Sequence, residues 1–166
     1  MRALVAAVLT LVITQSLHAM EKELADFRGV PWGAEFEQYR EQMSVLREEG
    51  DVVYYRRTGD DLKLGRVDAI KVAYRFYKGR FSTGVIQTYG GSNQKAIMET
   101  LKDMHGDPVR PRKRIPQYFW DGEQSYIMLA CEATSYCLIE FVGKAMMIQE
   151  QAETGIAPTT QKKDND

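Results

Sequence analysis

The sequence has few of the residues on which enzymes most often depend. Its 166 residues include two histidines and two cysteines. It contains no Gly-x-Ser-x-Gly elbow and no Gly-x-x-x-x-Gly-Lys phosphate loop. A catalytic triad would have to use His105, the one histidine beyond residue 19. His105 lies in the last turn of a predicted helix, where a partly positive imidazole interacts favourably with the helix dipole. We therefore expect a structural role for His105. We therefore expect no enzyme, no catalytic residue and no cofactor.

The chain also lacks a strong excess of charge of one sign. It has 22 Lys and Arg residues against 23 Asp and Glu residues, which gives a formal net charge of −1. No overall field therefore draws the protein to nucleic acid or to an anionic membrane. We expect no nucleic-acid partner, and any electrostatic contact must come from a local patch.

A long apolar run occurs within the first nineteen residues, and it is too short to span a bilayer. Arg2 is followed by an uncharged apolar run, then by polar residues and Ala19, a pattern typical of a secretory signal peptide. The alternative, a membrane-spanning helix, needs roughly 20 apolar residues. We predict a signal peptide at 1–19, a single domain at 20–154 and a disordered polar tail at 155–166. The protein is then periplasmic or secreted, with no transmembrane segment once the signal is removed.

Both cysteines fall within one predicted hairpin. Pairing Cys131 with Cys137 places their side chains on the same face. The same register pairs apolar residues on that face, Leu129 with Ile139 and Ile127 with Phe141. A zinc site needs further ligands, and a redox pair is expected as Cys-x-x-Cys at a helix start. The pattern favours a structural disulfide over two free thiols and predicts no metal, in keeping with an oxidising compartment.

Hydrophobic periodicity predicts two main helices. From residue 35 to about 48, Phe36, Tyr39, Met43 and Leu46 are spaced as on one helix face. A second helix is expected from Ser92 or Asn93 to His105, with a buried stripe of Ile97, Leu101 and Met104. Residues 144–154 form a further candidate, a short helix.

In the segments after each main helix, apolar and polar residues alternate as they do in β-strands. Taking Lys78-Gly79 as a turn pairs Phe76 with Phe81, Tyr74 with Thr83 and Val72 with Val85. A second hairpin is expected at Asp121-Gly122. We predict an α+β fold in the order α-β-β-β-α-β-β-β, in which a curved antiparallel sheet of about six strands carries the two helices on one face.

The most distinctive local feature is a basic stretch followed by aromatic residues. Its cations are Arg110, Arg112, Lys113 and Arg114, and Pro111 and Pro116 hold the stretch extended. Clustered cations of this kind bind a carboxylate, a phosphate or an acidic protein surface. The alternative is a solvated loop without a partner.

Two aromatic residues are expected on a separate surface. The Asp121-Gly122 turn places Phe119 and Tyr126 on the sheet face opposite Ile127 and Leu129. If no helix covers that face, it is an exposed apolar patch of the kind that binds proteins. Together with the basic stretch, these residues predict binding to another periplasmic protein or to an anionic ligand.

Two other functions stay open. Asp60, Asp61 and Asp68 lie near one another in sequence and offer carboxylates for a periplasmic hydrolase. Met43, Met98 and Met104 offer adaptable side chains for a pocket that carries a small apolar ligand.

Two short motifs are similar to motifs of known proteins. They are Phe27-x-Gly29-x-x-Trp32-Gly33 before the first predicted helix and Tyr74-x-Phe76-Tyr77-x-Gly79-x-Phe81 at the central hairpin. The chain resembles small exported bacterial proteins of uncharacterised function that share these motifs. The resemblance implies a secreted, single-domain, non-enzymatic fold, and it assigns no functional residues. The predicted element order and hairpin disulfide are also similar to the secreted β-lactamase inhibitory protein, but element order alone implies no β-lactamase target.

Overall fold

The structure is a computed structural model that describes residues 20–155. The predicted signal peptide and residues 156–166 of the predicted tail lie outside the described residues. The elements are β1 (Asp26–Phe27), β2 (Val30–Pro31), β3 (Met43–Glu49), β4 (Val52–Arg57), β5 (Lys63–Leu64), β6 (Val67–Asp68), β7 (Lys71–Tyr77), β8 (Arg80–Tyr89), α1 (Gly91–His105), β9 (Gln117–Asp121), β10 (Ser125–Cys131), β11 (Tyr136–Gly143) and α2 (Lys144–Thr154).

Seven strands form one open antiparallel sheet in the order β3-β4-β7-β8-β11-β10-β9. The strands β1 with β2, and β5 with β6, form two separate small hairpins. The predicted α+β class and antiparallel sheet are therefore confirmed. The main sheet has seven strands where about six were predicted, and the element order differs from the predicted α-β-β-β-α-β-β-β.

The first predicted helix is absent from the described part of the chain. Two short 3-10 turns, Phe36–Gln38 and Arg40–Gln42, lead directly into β3. Phe36, Tyr39 and Met43 do pack partly buried against the core, so the apolar spacing was informative about burial. The backbone instead pairs with β4. A helix of this length is marginal without tertiary support, and the neighbouring strand supplies the competing hydrogen bonds.

The two observed helices lie on opposite faces of the main sheet. Ile97 and Leu101 of α1 are fully buried in the core. In contrast, Glu150 of α2 bonds to Arg75, whose sequence neighbours Tyr74 and Phe76 point into that core. We call the side under α1 the core face and the other side the reverse face. The prediction of two helices on one face is wrong, because the second helix is the C-terminal segment and it crosses the reverse face.

Helix α1 itself begins and ends close to its predicted bounds. Its N-cap is Gly90, and no side chain caps the N-terminus. Met104 is 45% exposed, while His105 is buried. The inward stripe of α1 therefore ends with His105 rather than with the predicted Met104.

The central hairpin has the predicted turn but a shifted register. Phe76 pairs with Phe81 as expected, whereas Tyr74 pairs with Gly84 and Val72 with Ile86. The shift arises because Ser82 is an extra residue in β8, a β-bulge. Arg75 stabilises the bulge, since its Nη1 donates to Ser82 Oγ at 2.9 Å.

The residues of the Phe27-x-Gly29-x-x-Trp32-Gly33 motif are structural. The turn at Arg28-Gly29 uses positive φ at both residues, 53° and 80°. Trp32 stacks on Phe81 with ring centroids 5.3 Å apart, and its Nε1 donates to the Leu24 carbonyl oxygen at 2.8 Å. The motif therefore closes one end of the core.

The predicted disulfide is confirmed. Cys131 and Cys137 are joined by a disulfide and are direct cross-strand partners in β10 and β11. Leu129 pairs with Ile139 and Ile127 with Phe141 in the same register. Closure of so short a loop contributes about 2 kcal/mol on the chain-entropy model.

Candidate functional site

The basic stretch forms a braced loop between α1 and β9. Val109 and Phe119 close its base through two backbone hydrogen bonds of 2.8 Å. Inside the loop, Ile115 N donates to the Arg112 carbonyl oxygen at 3.1 Å, and Arg110 Nε donates to the Ile115 carbonyl oxygen at 3.3 Å. We call residues 110–116 the basic loop. Its backbone is held in place by these bonds, so little ordering is needed when a ligand binds.

The cations of the basic loop fall into two groups. The Arg110 guanidinium lies over the Tyr118 ring, 5.3 Å from its centroid, and it braces the loop. Arg112, Lys113 and Arg114 are exposed, and no ion pair joins them to any acidic side chain in residues 20–155. Three neighbouring cations thus point into solvent without a counter-charge. Such a group offers two planar guanidinium groups and one ammonium group that can bind carboxylate or phosphate oxygens.

The two predicted aromatic residues do not share one surface with these cations. Phe119 and Tyr126 lie on the reverse face, and both are partly buried. Phe119 is at the base of the basic loop through its bridge to Val109, and Tyr126 lies farther into the sheet. Burial, followed by the negative charge of Glu140, raises the pKa of Tyr126 to about 12. The six predicted binding residues thus divide between the loop and the reverse face.

The three aspartates of the hydrolase alternative are not arranged as a pair of free carboxylates. Asp60 accepts hydrogen bonds from Arg28 Nη1 at 2.9 Å and from the Tyr74 hydroxyl at 2.8 Å. Asp68 pairs with Lys63 at 3.2 Å on the surface. Asp61 contributes its backbone carbonyl to Arg28. These contacts hold the β5–β6 hairpin and its neighbours in place, and none of them favours a hydrolase.

The methionines proposed for an apolar pocket are also separated by their environments. Met43 and Met98 pack partly buried against the core, whereas Met104 is exposed. No contact in the described chain favours a shared pocket.

His105 is buried beneath the segment that contains Glu21 and Lys22. Its Nδ1 is 3.1 Å from the Lys22 carbonyl oxygen, and its Nε2 is buried without a partner. Burial lowers the pKa of His105 below its ordinary value of 6.5, against the opposing hydrogen bond to Lys22. Because a carbonyl oxygen only accepts, Nδ1 carries the proton. This burial acts against the partly positive imidazole that was expected at the end of the helix.

This burial predicts a pH dependence of stability. The unfolded chain binds a proton at His105 near pH 6.5, whereas the folded chain binds it only at lower pH. The contribution of the neutral imidazole is therefore complete above about pH 6.5 and is lost as the pH falls through the folded-state pKa. Urea unfolding from about pH 7 to pH 5 should show a steeper loss of stability for the wild type than for His105→Gln. Equal slopes for the two proteins would contradict the assignment.

Two charged residues of the reverse face were not singled out from the sequence. Arg75 lies between apolar residues in β7, which also contains the exposed Lys71, and Glu140 is the one charged residue of β11. Arg75 is paired with Glu150 of α2. A charge flanked by apolar residues within a strand was the available signal, because such a charge is costly unless it has a partner.

Comparison with known proteins assigns no family or function to the chain. No family model, curated protein or solved structure matches the chain. Among residues 20–155, no helix has the length and apolar character needed to cross a bilayer. The same residues contain no cluster of three metal-binding side chains.

Proposed function

We propose that this protein is an exported, non-catalytic binding domain whose basic loop contacts an acidic protein surface or another anionic ligand in the periplasm. The observation that carries the proposal is the set of three exposed cations, Arg112, Lys113 and Arg114, that have no counter-charge in the described chain. Elsewhere on the surface, cations such as Arg66 and Lys102 are paired with nearby acids, Glu99 and Asp107.

Three further features support this role. The loop is braced by backbone bonds and by the Arg110–Tyr118 contact, so the cations are presented with a low entropic cost of binding. Because the chain is nearly neutral, a local patch rather than the overall charge selects an electrostatic partner. The Cys131–Cys137 disulfide suits an oxidising compartment, which supports export.

Neutralising the loop is expected to weaken anion binding without loss of stability. The triple variant Arg112→Gln, Lys113→Gln, Arg114→Gln leaves Arg110 and both prolines in place. Removal of these three exposed charge contacts should lower the affinity for a polyglutamate peptide by about tenfold. Isothermal titration at low salt measures the affinity, and a melting curve shows that the fold is retained.

A matched variant controls for net charge. Arg56→Gln, Lys71→Gln, Lys95→Gln removes the same charge from exposed positions outside the loop. This control should bind polyglutamate nearly as well as the wild type. An equal loss in both triple variants would show that net charge, and not the loop, is responsible. The two triple variants can then be compared for capture of partners from the native periplasm.

A further inference from the structure

Glu140 differs from the other partly buried carboxylates because it has no partner. Within residues 20–155, four acidic side chains are partly buried: Asp60, Glu99, Glu140 and Glu150. Three of them pair with an arginine, Asp60 with Arg28 at 2.9 Å, Glu99 with Arg66 at 2.5 Å and Glu150 with Arg75 at 2.5 Å. Glu140 has neither an ion pair nor a hydrogen-bond donor in this part of the chain.

The position of Glu140 makes this lack of a partner costly. It lies in the middle of β11 on the reverse face, directly between Val85 of β8 and Met128 of β10. Its neighbours on the same face of β11 are Leu138 and Val142. Burial raises the pKa of the Glu140 carboxyl, and the charge of Arg75 only partly opposes this shift. A carboxylate in such surroundings is normally satisfied by a donor or a cation.

Arg75, whose charge acts on Glu140, cannot pair with Glu140 without giving up its own partners. Arg75 donates from Nη1 to Glu150 at 2.8 Å and to Ser82 Oγ at 2.9 Å, and its Nη2 donates to the other oxygen of Glu150. These bonds join α2 to the sheet. The charge of Glu140 therefore remains available to a ligand.

The residues around Glu140 have the chemistry of a site for an organic cation. Tyr126 faces the same side of the adjacent strand, and its hydroxyl has no hydrogen-bond partner in residues 20–155. Met128 lies between Glu140 and Phe119 in register. Neither the Glu140 oxygens nor the Tyr126 hydroxyl is sealed from solvent, since neither is among the fully buried unpaired polar atoms. A carboxylate beside aromatic rings and a methionine binds an ammonium through charge and its apolar body through contact.

We propose that the reverse face carries a second binding site, in which Glu140 pairs with the ammonium group of a small aromatic or aliphatic amine. Tyr126, Met128 and Phe119 contact the apolar part of the amine. Charge complementarity selects this occupant, because the unpaired group is an anion in apolar surroundings. A small ligand is selected because the carboxylate is partly buried in the sheet between its strand neighbours.

The test uses phenethylammonium as the probe and isothermal titration with the folded protein. We expect saturable binding of one phenethylammonium per chain, while the neutral analogue phenylethanol binds at least about tenfold more weakly. Glu140→Gln should weaken the binding of phenethylammonium by about tenfold or more. The control Glu132→Gln, an exposed acid in the loop of the same hairpin, should leave it unchanged. No saturation up to about 10 mM, equal binding of phenylethanol, or no effect of Glu140→Gln would overturn the proposal.

A second variant keeps the test decisive if Glu140→Gln does not fold. Met128→Lys places an ammonium directly opposite Glu140 in the register. The internal cation should abolish phenethylammonium binding and raise the melting temperature. Retained binding with an unchanged melting temperature would argue against the site. The loop triple variant should bind phenethylammonium normally, so this proposal and the proposed function fail independently.

Discussion

Replacing Gly84 with alanine is expected to lower the free energy of unfolding by about 3 kcal/mol. A Cβ at this position would lie 2.3 Å from two atoms of the Phe27 ring, far inside van der Waals contact. The ring cannot move aside easily, because it packs against Tyr74 and Phe141 with centroid distances of 5.3 and 5.1 Å. Urea unfolding followed by circular dichroism measures the loss.

Three further variants identify the clash as the cause. Gly91→Ala adds a methyl group where the nearest atom is Ser135 Oγ at 3.7 Å, so it should be neutral or slightly stabilising. Phe27→Ala alone costs about 3–5 kcal/mol as a large core truncation. In the double variant the added methyl group occupies space vacated by the ring. The loss of stability in the double variant should therefore be smaller than the sum of the two single losses. Strictly additive losses would show that Phe27 and Gly84 do not interact.

Removing the Asp60 carboxylate is expected to cost about 3 kcal/mol. Asp60→Ala leaves both the Arg28 guanidinium and the Tyr74 hydroxyl without their acceptor. The side chains of Arg28 and Asp60 are only 20% and 13% exposed, so water replaces the lost contact poorly. The expected loss is at the lower end of the range for buried pairs because Arg28 also donates to backbone carbonyl oxygens.

The adjacent aspartate provides a matched control. Asp61 is exposed, and its contact with Arg28 uses the backbone carbonyl, so Asp61→Ala should change the free energy of unfolding by less than about 0.5 kcal/mol. Chemical denaturation of both variants gives the comparison. Similar stabilities for Asp60→Ala and Asp61→Ala would refute the structural role of Asp60.

The grouping of the cations in the basic loop was evident from the sequence, whereas the surroundings of Glu140 were not. The loop cations are contiguous in the chain, so their proximity needs no tertiary information. Glu140 and Tyr126 come together because β10 and β11 pair in one register, and Arg75 is neutralised by a residue 75 positions away. Which carboxylates have partners is therefore visible only in the folded chain.

Local patterns by themselves determined helix α1, the disulfide and the register of the β10–β11 hairpin, because alternation selects a register when one face is buried. In the central hairpin they determined the turn and the Phe76–Phe81 pair but not the bulge at Ser82. They did not determine the conformation of residues 35–48. The same apolar spacing there is compatible with a helix or with two short turns followed by a strand. Pairing with β4 decided that choice, since hydrogen bonds from a distant strand outweigh a marginal helical preference. Tertiary structure also decided the placement of α2 on the reverse face, through the Arg75–Glu150 pair. An ion pair between distant residues depends on how the strands and helices pack, and no local pattern contains that information.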